Sequence, residues 1–510
     1  MVKRMGGTMP KALAELDTWL AEISDLRRAC SVLEWDQNTM MPPLGAPLRA
    51  EHLATLERIL HERFTSPRTG ELIEAAAAEL DGHPPDAIES RIVSEASRLY
   101  EKARQVPLEL AAERAKAASD GYRIWVGARA ENDFSAYAPV LQRNFQLARD
   151  YVACFDGHED AYDVVLDDFV VGLRASEVRR LFEDLREQLV PLIAELSGRE
   201  VDVAPLHVNY PVSGQRQLVD QVLRWMGFEN SSWRLDDTVH PFETAFSVTD
   251  VRLTTRFLES YFPMALYGAM HECGHGLYEA GVDPALQRSP LGFIRSTAVH
   301  ESQSRLWENI VGRSRAFCAA LAPAVVAHSQ GALSGLEPDA LFRAVNAVTP
   351  SLIRIEADEA TYGLHVILRF ELESQLLHGE LDVADLPEVW NERMREYLGV
   401  EVPSDADGVM QDVHWSAGLI GYFPGYAIGN LIAGQLWQKV RLDLPEIDDQ
   451  LAAADLQPLR EWLRVNVHQH GSRFTDRELL ERVVGAPVSV TPFVDHLRSK
   501  LGDVYGLELA

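Results

Sequence analysis

The chain has 510 residues, 46% of them hydrophobic and 25% charged, proportions that exclude a disordered or fibrous protein and imply one large helical body or two lobes around a cleft. Asp and Glu outnumber Lys and Arg by 77 to 48, and the formal charge of −29 repels phosphate backbones and anionic headgroups, so neither nucleic acid nor a membrane surface is an expected partner. Four dispersed cysteines, Cys30, Cys154, Cys273 and Cys318, form no C-x-x-C pair and cannot staple a chain of this length, which fits a reducing cytoplasm.

Lys3 and Arg4 are followed by no apolar run, because residues 12–28 mix apolar and charged side chains at helical spacing; no secretion signal is expected. No segment reaches the ~18 apolar residues of a membrane helix. Leu53, Leu56, Leu60 and Phe64, and later Val178, Leu181, Leu185 and Leu189, recur three or four apart in the stripe of an amphipathic helix, and such stripes predict a mainly α fold. Alternation is confined to residues 200–209, which Pro205 interrupts, and 246–255; these two segments are expected to pair as a small β-sheet near the active site. Turn clusters at 81–86, 156–160 and 404–408 are too short for interdomain linkers, and no repeat of fixed period occurs. Residues 1–200 are read as an N-terminal helical lobe and 201–510 as the lobe carrying the chemistry.

That chemistry centres on His271-Glu272-Cys273-Gly274-His275. Residues 267–280 read as one helix, and side chains four apart on a helix share a face, so His271 and His275 can offer two imidazoles to one ion. Glu272 sits about 100° round the helix, able to act on water without becoming a ligand. Gly274 and Gly276 inside the helix point to close packing, since each costs about 1 kcal/mol against Ala. A catalytic zinc takes a third protein ligand, and His300-Glu301-Ser302-Gln303-Ser304-Arg305-Leu306-Trp307-Glu308 supplies it. Glu301 is the first choice and His300 the rival; Glu308, seven residues on, is placed to orient a ligating histidine. An ion-pair ladder with Arg305 is the ordinary alternative for both carboxylates.

These residues resemble the thermostable carboxypeptidase 1 type of metallocarboxypeptidases. The likeness extends over nearly the whole chain and includes, in that family's order, Leu33-Glu34-Trp35-Asp36-Gln37, Asp250-Val251-Arg252-Leu253-Thr254, the motif itself and His300-Glu301-Ser302-Gln303-Ser304. Downstream come Ile353-Arg354-Ile355-Glu356-Ala357-Asp358 and Gly408-Val409-Met410-Gln411-Asp412-Val413-His414-Trp415, the latter continuing into Gly421-Tyr422-Phe423-Pro424. The resemblance implies removal of single residues from peptide C-termini with broad side-chain preference, metal ligands at His271, His275 and Glu301, and a mostly helical homodimer with a long, deep substrate groove. Gly363 and Val170 depart from it, standing where relatives often carry Asn and an acidic residue.

An exopeptidase binds a free carboxylate, best done by the planar fork of Arg. Arg354, in a polar run at 351–373 read as helical, is the first candidate and Arg252 the second; each has an alternative as half of an ion pair, with Asp358 and Asp250 respectively. His414, Tyr422 and Tyr426 lie in a Gly-rich aromatic segment able to close over substrate and stabilise an oxyanion, with Gln411 and Asp412 as buttresses. Zinc is the expected cofactor, with cobalt or manganese as substitutes. Two other readings share the residues: an oligoendopeptidase on a related helical fold, and a catalytically inactive peptide-binding scaffold.

Overall fold

The computed structural model describes residues 9–509; the opening stretch read for a secretion signal, residues 1–8, lies outside them. Among the described residues, twenty α-helices surround one three-stranded sheet. No single helix there is long and apolar enough to cross a membrane. The predicted stripe at Val178 forms the helix Ala175–Leu196, with Val178, Leu185 and Leu189 buried. The stripe at Leu53 is also helical, in Ala46–Phe64, but only Leu60 is buried, so this helix flanks the body rather than entering it.

The apolar side chains gather into two clusters. The larger runs from Ala128 to Val504 and contains the sheet. The smaller joins Leu13, Leu16, Leu20, Ile92 and Tyr100 of the first helices to Val282, Leu286 and Leu291. Those last three residues belong to the link between the motif helix, Pro263–Gly281, and the acid helix, Thr297–Arg305. The N-terminal helices thereby clamp the connection between the two helices that carry the proposed ligands.

The sheet has the order β1 (Trp233–Asp237), β3 (Asp250–Thr255), β2 (Glu243–Ser247), with β1 parallel and β2 antiparallel to β3. The expected strand at 246–255 is thus the end of β2, a two-residue turn and β3. Residues 200–209 are not its partner. They form a 3-10 turn at Ala204–His207 around Pro205, which has no N–H to give a ladder, and only Leu206 of the turn is buried. The true partner β1 reads Trp-Arg-Leu-Asp-Asp, whose charges mask its strand character.

Two further boundaries differ from the reading of the sequence. The acid helix passes into a π-helical turn, Leu306–Val311, which re-aims Glu308. The run 351–373 is not one helix: Arg354–Glu356 is a 3-10 turn, Ala357 is extended, and Asp358 caps the helix Glu359–His378 by accepting from the N–H groups of Ala360 and Thr361, both at 3.0 Å. That helix is buried through most of its length rather than lining an open wall.

The glycines of the motif helix have the packing role their cost implied. A Cβ on Gly274 would lie 2.8 Å from Gln303 O and from Ser304 Cα, both backbone atoms of the acid helix. A Cβ on Gly276 would meet Trp233 and Val251 of the sheet. Gly274→Ala is therefore expected to cost about 1–3 kcal/mol by overpacking, whereas Gly268→Ala, whose Cβ meets only Thr255 Oγ1 at 3.4 Å, is expected to gain a few tenths to about 1 kcal/mol from helix propensity. Urea denaturation of the two variants checks the contrast, and equal midpoints would contradict it.

Candidate metal centre

Because Gly274 admits the acid helix, Glu301 stands over the histidine face of the motif helix. Its Oε2 lies 3.7 Å from His271 Nε2 and 3.5 Å from His275 Nε2. These separations are too long for good hydrogen bonds. They match the ~3.4 Å between donors that two bonds of about 2.1 Å make at a tetrahedral angle. Among the described residues, His271, His275 and Glu301 are the group of His, Cys, Asp or Glu side chains able to hold a metal ion. Two imidazoles and one carboxylate, with room for further ligands, suit a catalytic rather than a structural ion.

Two of these three side chains are held from behind. His271 Nδ1 meets Glu308 Oε2 at 2.9 Å, and Arg313 Nη2 donates to Glu308 Oε1 at 3.0 Å. Arg305 Nε donates to Glu301 Oε1 at 2.6 Å and Ser304 Oγ to Glu301 Oε2 at 3.2 Å. The ladder with Arg305 thus exists, buried and made through Glu301 Oε1, with Oε2 facing the two histidines. Burial alone would raise the Glu308 carboxyl; the hydrogen bond to His271 and the charges of Arg305 and Arg313 outweigh it and hold it down to about 2. Burial also opposes charge on His271, yet Glu301 and Glu308 together hold its pKa above the ordinary imidazole value.

Glu272 is buried, and burial raises its pKa against the pull of His271 and His275. His300 does not join the group. Its ring stacks on His275 at 4.2 Å between centroids, and its Nε2 faces Glu279 and Glu243 at 3.8 and 4.0 Å.

The other candidates fall into two places. Arg354 is buried and paired, not with Asp358, but with Asp412, through Nε at 3.1 Å and Nη2 at 2.8 Å, while Nη1 donates to Tyr362 Oη at 2.9 Å. The Tyr362 ring carries the Arg305 guanidinium 4.0 Å above its centre, which connects Arg354 to the ligand shell. Asp412 also takes Arg369 Nε at 2.6 Å, and Gln411 accepts from Arg354 N and donates to the carbonyls of Leu352 and Asp407. Both act as the buttresses expected. His414, Tyr422 and Tyr426 form one aromatic cluster, with His414 Nε2 3.2 Å from Tyr426 Oη and the tyrosine rings 5.4 Å apart. Arg252 is elsewhere, bidentate to Asp250 and stacked 4.8 Å over Trp35 of the first helix.

Sequence reasoning missed the residues that set this cluster against the ligands. A Cβ on Gly425 would strike Thr297, and one on Gly429 would lie 2.8 Å from Glu301 Cβ, so the helix Pro424–Asp443 seats directly on the acid helix. Two glycines four apart were the available signal. Glu373, fully buried, accepts from Tyr162 Oη at 2.5 Å, Trp415 Nε1 at 2.7 Å and Gly421 N at 3.2 Å, a role no local pattern announces.

Three side chains able to hold an ion, with an adjacent carboxylate on a His-Glu-x-x-His helix, are the arrangement of a metal-dependent peptidase site. Residues 15–501 match the Carboxypeptidase Taq (M32) metallopeptidase family. The chain is 41% identical over 483 residues to thermostable carboxypeptidase 1 of Thermus thermophilus, covering 92% of this chain and 94% of that one. It is 35% identical over 488 residues to carboxypeptidase 1 of Bacillus subtilis, covering 95% and 97%. An M32 carboxypeptidase from Deinococcus radiodurans R1 superposes with a TM-score of 0.93 at 38% identity, over 97% of this chain and 100% of that one. The chain belongs to the Carboxypeptidase Taq (M32) family and is a metallocarboxypeptidase, a peptide hydrolase that uses a divalent metal ion. The departures at Gly363 and Val170 are packing features: Gly363 lies against Leu185 and Leu189, and Val170 is fully buried.

A raised His271 pKa has a consequence for metal binding, because imidazole ligates only when neutral. Protons compete with the metal, so affinity is expected to rise with pH through the neutral range and to fall on acidification, with proton release seen by calorimetry in buffers of different ionisation enthalpy. Glu308→Gln is expected to weaken metal binding by about 10–100-fold; an unchanged affinity would remove Glu308 from its orienting role.

Proposed function

We propose that His271, His275 and Glu301 hold zinc and that Glu272 is the general base in hydrolysis of the last peptide bond of peptides with broad side-chain tolerance. The observation that carries this is the donor spacing around Glu301 Oε2. Zinc is preferred because two His and one Glu are a catalytic zinc set, and cobalt or manganese are substitutes the same donors accept. A bound ion supplies Lewis acidity, polarising the scissile carbonyl and lowering the pKa of water. Glu272 takes the proton from the attacking water and passes it to the leaving amine; its raised pKa suits both transfers. Tyr426 and Tyr422, with His414 fixing the Tyr426 hydroxyl, are positioned to donate to the developing oxyanion.

Arg354 is the proposed anchor of the terminal carboxylate. Asp412 and Tyr362 use three of its five N–H groups; five less three leaves two, one on each terminal nitrogen, the fork a carboxylate needs. Arg252 is the second choice, since Asp250 already takes its fork bidentately. The same reading gives a homodimer of two-lobed chains, divided near residue 200 around a deep substrate groove, in the cytoplasm. Four unpaired cysteines fit that compartment.

Glu272→Gln is expected to lower kcat by about 10²–10⁴-fold with metal content unchanged; full activity in this variant would exclude Glu272 as the base and an absence of bound metal in the wild type would favour an inactive scaffold. C-terminal amidation is expected to abolish efficient cleavage, and Arg354→Lys to lower kcat/KM for free-acid peptides well beyond Arg252→Lys. Amidated peptides cut at the free-acid rate would instead mark an oligoendopeptidase.

A further inference from the structure

Beyond His275 the motif helix carries one more ionisable side chain on the same stripe. His271, His275 and Glu279 are spaced by four, so Glu279 stands one turn past the second ligand on the face that carries both. From the sheet, Glu243 at the start of β2 approaches the same place: His300 Nε2 is 3.8 Å from Glu279 Oε1 and 4.0 Å from Glu243 Oε2. The Glu243 side chain is only 4% exposed and that of Glu279 14%. Among the described residues, no group within hydrogen-bonding distance donates to either carboxylate, and Glu243 Oε1 and His300 Nε2 are buried with no partner.

A buried carboxylate without a donor is costly, and two side by side are more so. The cation nearest to hand does not relieve them. Arg28 gives its two terminal nitrogens to the carbonyls of Ala245 and Gly292 and lies 4.1 Å over the Phe293 ring, so its hydrogen bonds hold the wall together while only its field reaches the pair. Among the described residues, Glu272, Cys273, Tyr278 and the neighbouring His300 and His275 are other ionisable groups around them. A second metal ion does not fit either. Glu243, Glu279 and His300 do not converge within the span that one ion requires, whereas His271, His275 and Glu301 do. An ammonium has longer reach and three donors. Two hydrogen bonds of about 2.8 Å at a right angle place their acceptors about 4 Å apart, as His300 Nε2 stands from Glu279 Oε1 and from Glu243 Oε2.

We propose that Glu243 and Glu279 form a subsite for a lysine ammonium on the peptide residue that precedes the scissile bond. The position follows from the layout. Arg354, Tyr362 and Arg305 adjoin Glu301 and, through Glu308, His271; the carboxylate pair adjoins His275 through His300. With the metal ligands between, a terminal carboxylate held at Arg354 puts the preceding residue on the side of Glu243 and Glu279. The inference therefore rests on the anchor proposed above. The chain's charge of −29 adds long-range attraction for such cationic peptides.

The experiment compares kcat/KM of the metal-loaded enzyme for two sets of free-acid peptides, differing only in lysine, norleucine or glutamate at the penultimate or the terminal position. Wild type is expected to favour lysine over norleucine at the penultimate position by about tenfold or more, the worth of a charge-assisted hydrogen bond, and to disfavour glutamate. In Glu243→Gln and in Glu279→Gln the lysine to norleucine ratio is expected to fall toward one, a readout that does not depend on overall rate. Calorimetric binding of the same peptides to Glu272→Gln protein gives the ratio without turnover, and two separate Gln variants guard against one that fails to fold. No lysine advantage at either position, or one that persists in both variants, overturns the subsite and leaves the carboxypeptidase reading intact. A lysine advantage at the terminal position that both variants abolish keeps the carboxylate pair and overturns the anchor at Arg354.

Discussion

The approach of two helix backbones at Gly274 is the constraint on which the site depends. Glu301 can reach the histidine stripe only because nothing larger than hydrogen stands between the motif helix and the Gln303–Ser304 backbone. The acid helix is pressed from its other side by Gly425 and Gly429, whose missing side chains let Pro424–Asp443 sit on Thr297 and Glu301. One short helix is thus fixed between two neighbours at backbone contact. Its carboxylate has little freedom to move off the point where the imidazoles converge, which is the preorganisation a metal site needs.

That packing creates an electrostatic problem, and the surrounding residues answer it. Glu301 and Glu308 are buried anions, and Arg305 and Arg313 are buried cations supplied from the same turn and from the end of the π-helical segment. The π-helical turn matters here. A regular helix would set Glu308 two turns beyond Glu301 on the same face, whereas the extra residue in the turn brings it under His271 Nδ1 and within reach of both arginines. The arginines neutralise the carboxylates without entering the metal position, because their hydrogen bonds lead away from Glu301 Oε2 or to Glu308. Asp412 plays the corresponding part for Arg354 and Arg369, tying the loop that carries His414 to the turn that carries Arg354.

The metal centre was legible in the sequence to the extent that it is local. His271 and His275 share a face through helix geometry alone, and Glu301 was preferred to His300 for its place on one face with Glu308, a turn from Arg305, a preference with which the resemblance agreed. Ion pairs between distant segments were not legible: Asp358 looked like the partner of Arg354 from proximity in the chain, but its carboxylate is spent on the cap of Glu359–His378, and Asp412, 58 residues on, takes the guanidinium. The sheet failed for a related reason. Burial of β3 by the motif helix is what makes Trp233–Asp237 a strand, despite three charges in five residues, while Pro205 prevents the more hydrophobic 200–209 from becoming one. Tertiary context outweighed local pattern in both cases.

The distribution of charge about the metal position bears on why such a site would act at a chain end. On the His271 side stand Arg305, Arg313 and Arg354, with Tyr362 between two of the guanidiniums. On the His275 side stand Glu243 and Glu279, with no hydrogen-bond donor to them among the described residues. With Arg354 as the proposed anchor, a peptide with a free terminal carboxylate would fit that polarity in one direction only, because reversing it would bring the carboxylate against the acidic pair. Orientation is then set by like-charge exclusion as much as by attraction, and the exclusion falls hardest on the incorrect end of the substrate. An amide in place of the carboxylate loses both effects at once. In this arrangement the selectivity for the last bond does not need a shaped pocket for the terminal side chain, which is consistent with broad tolerance of the residue removed.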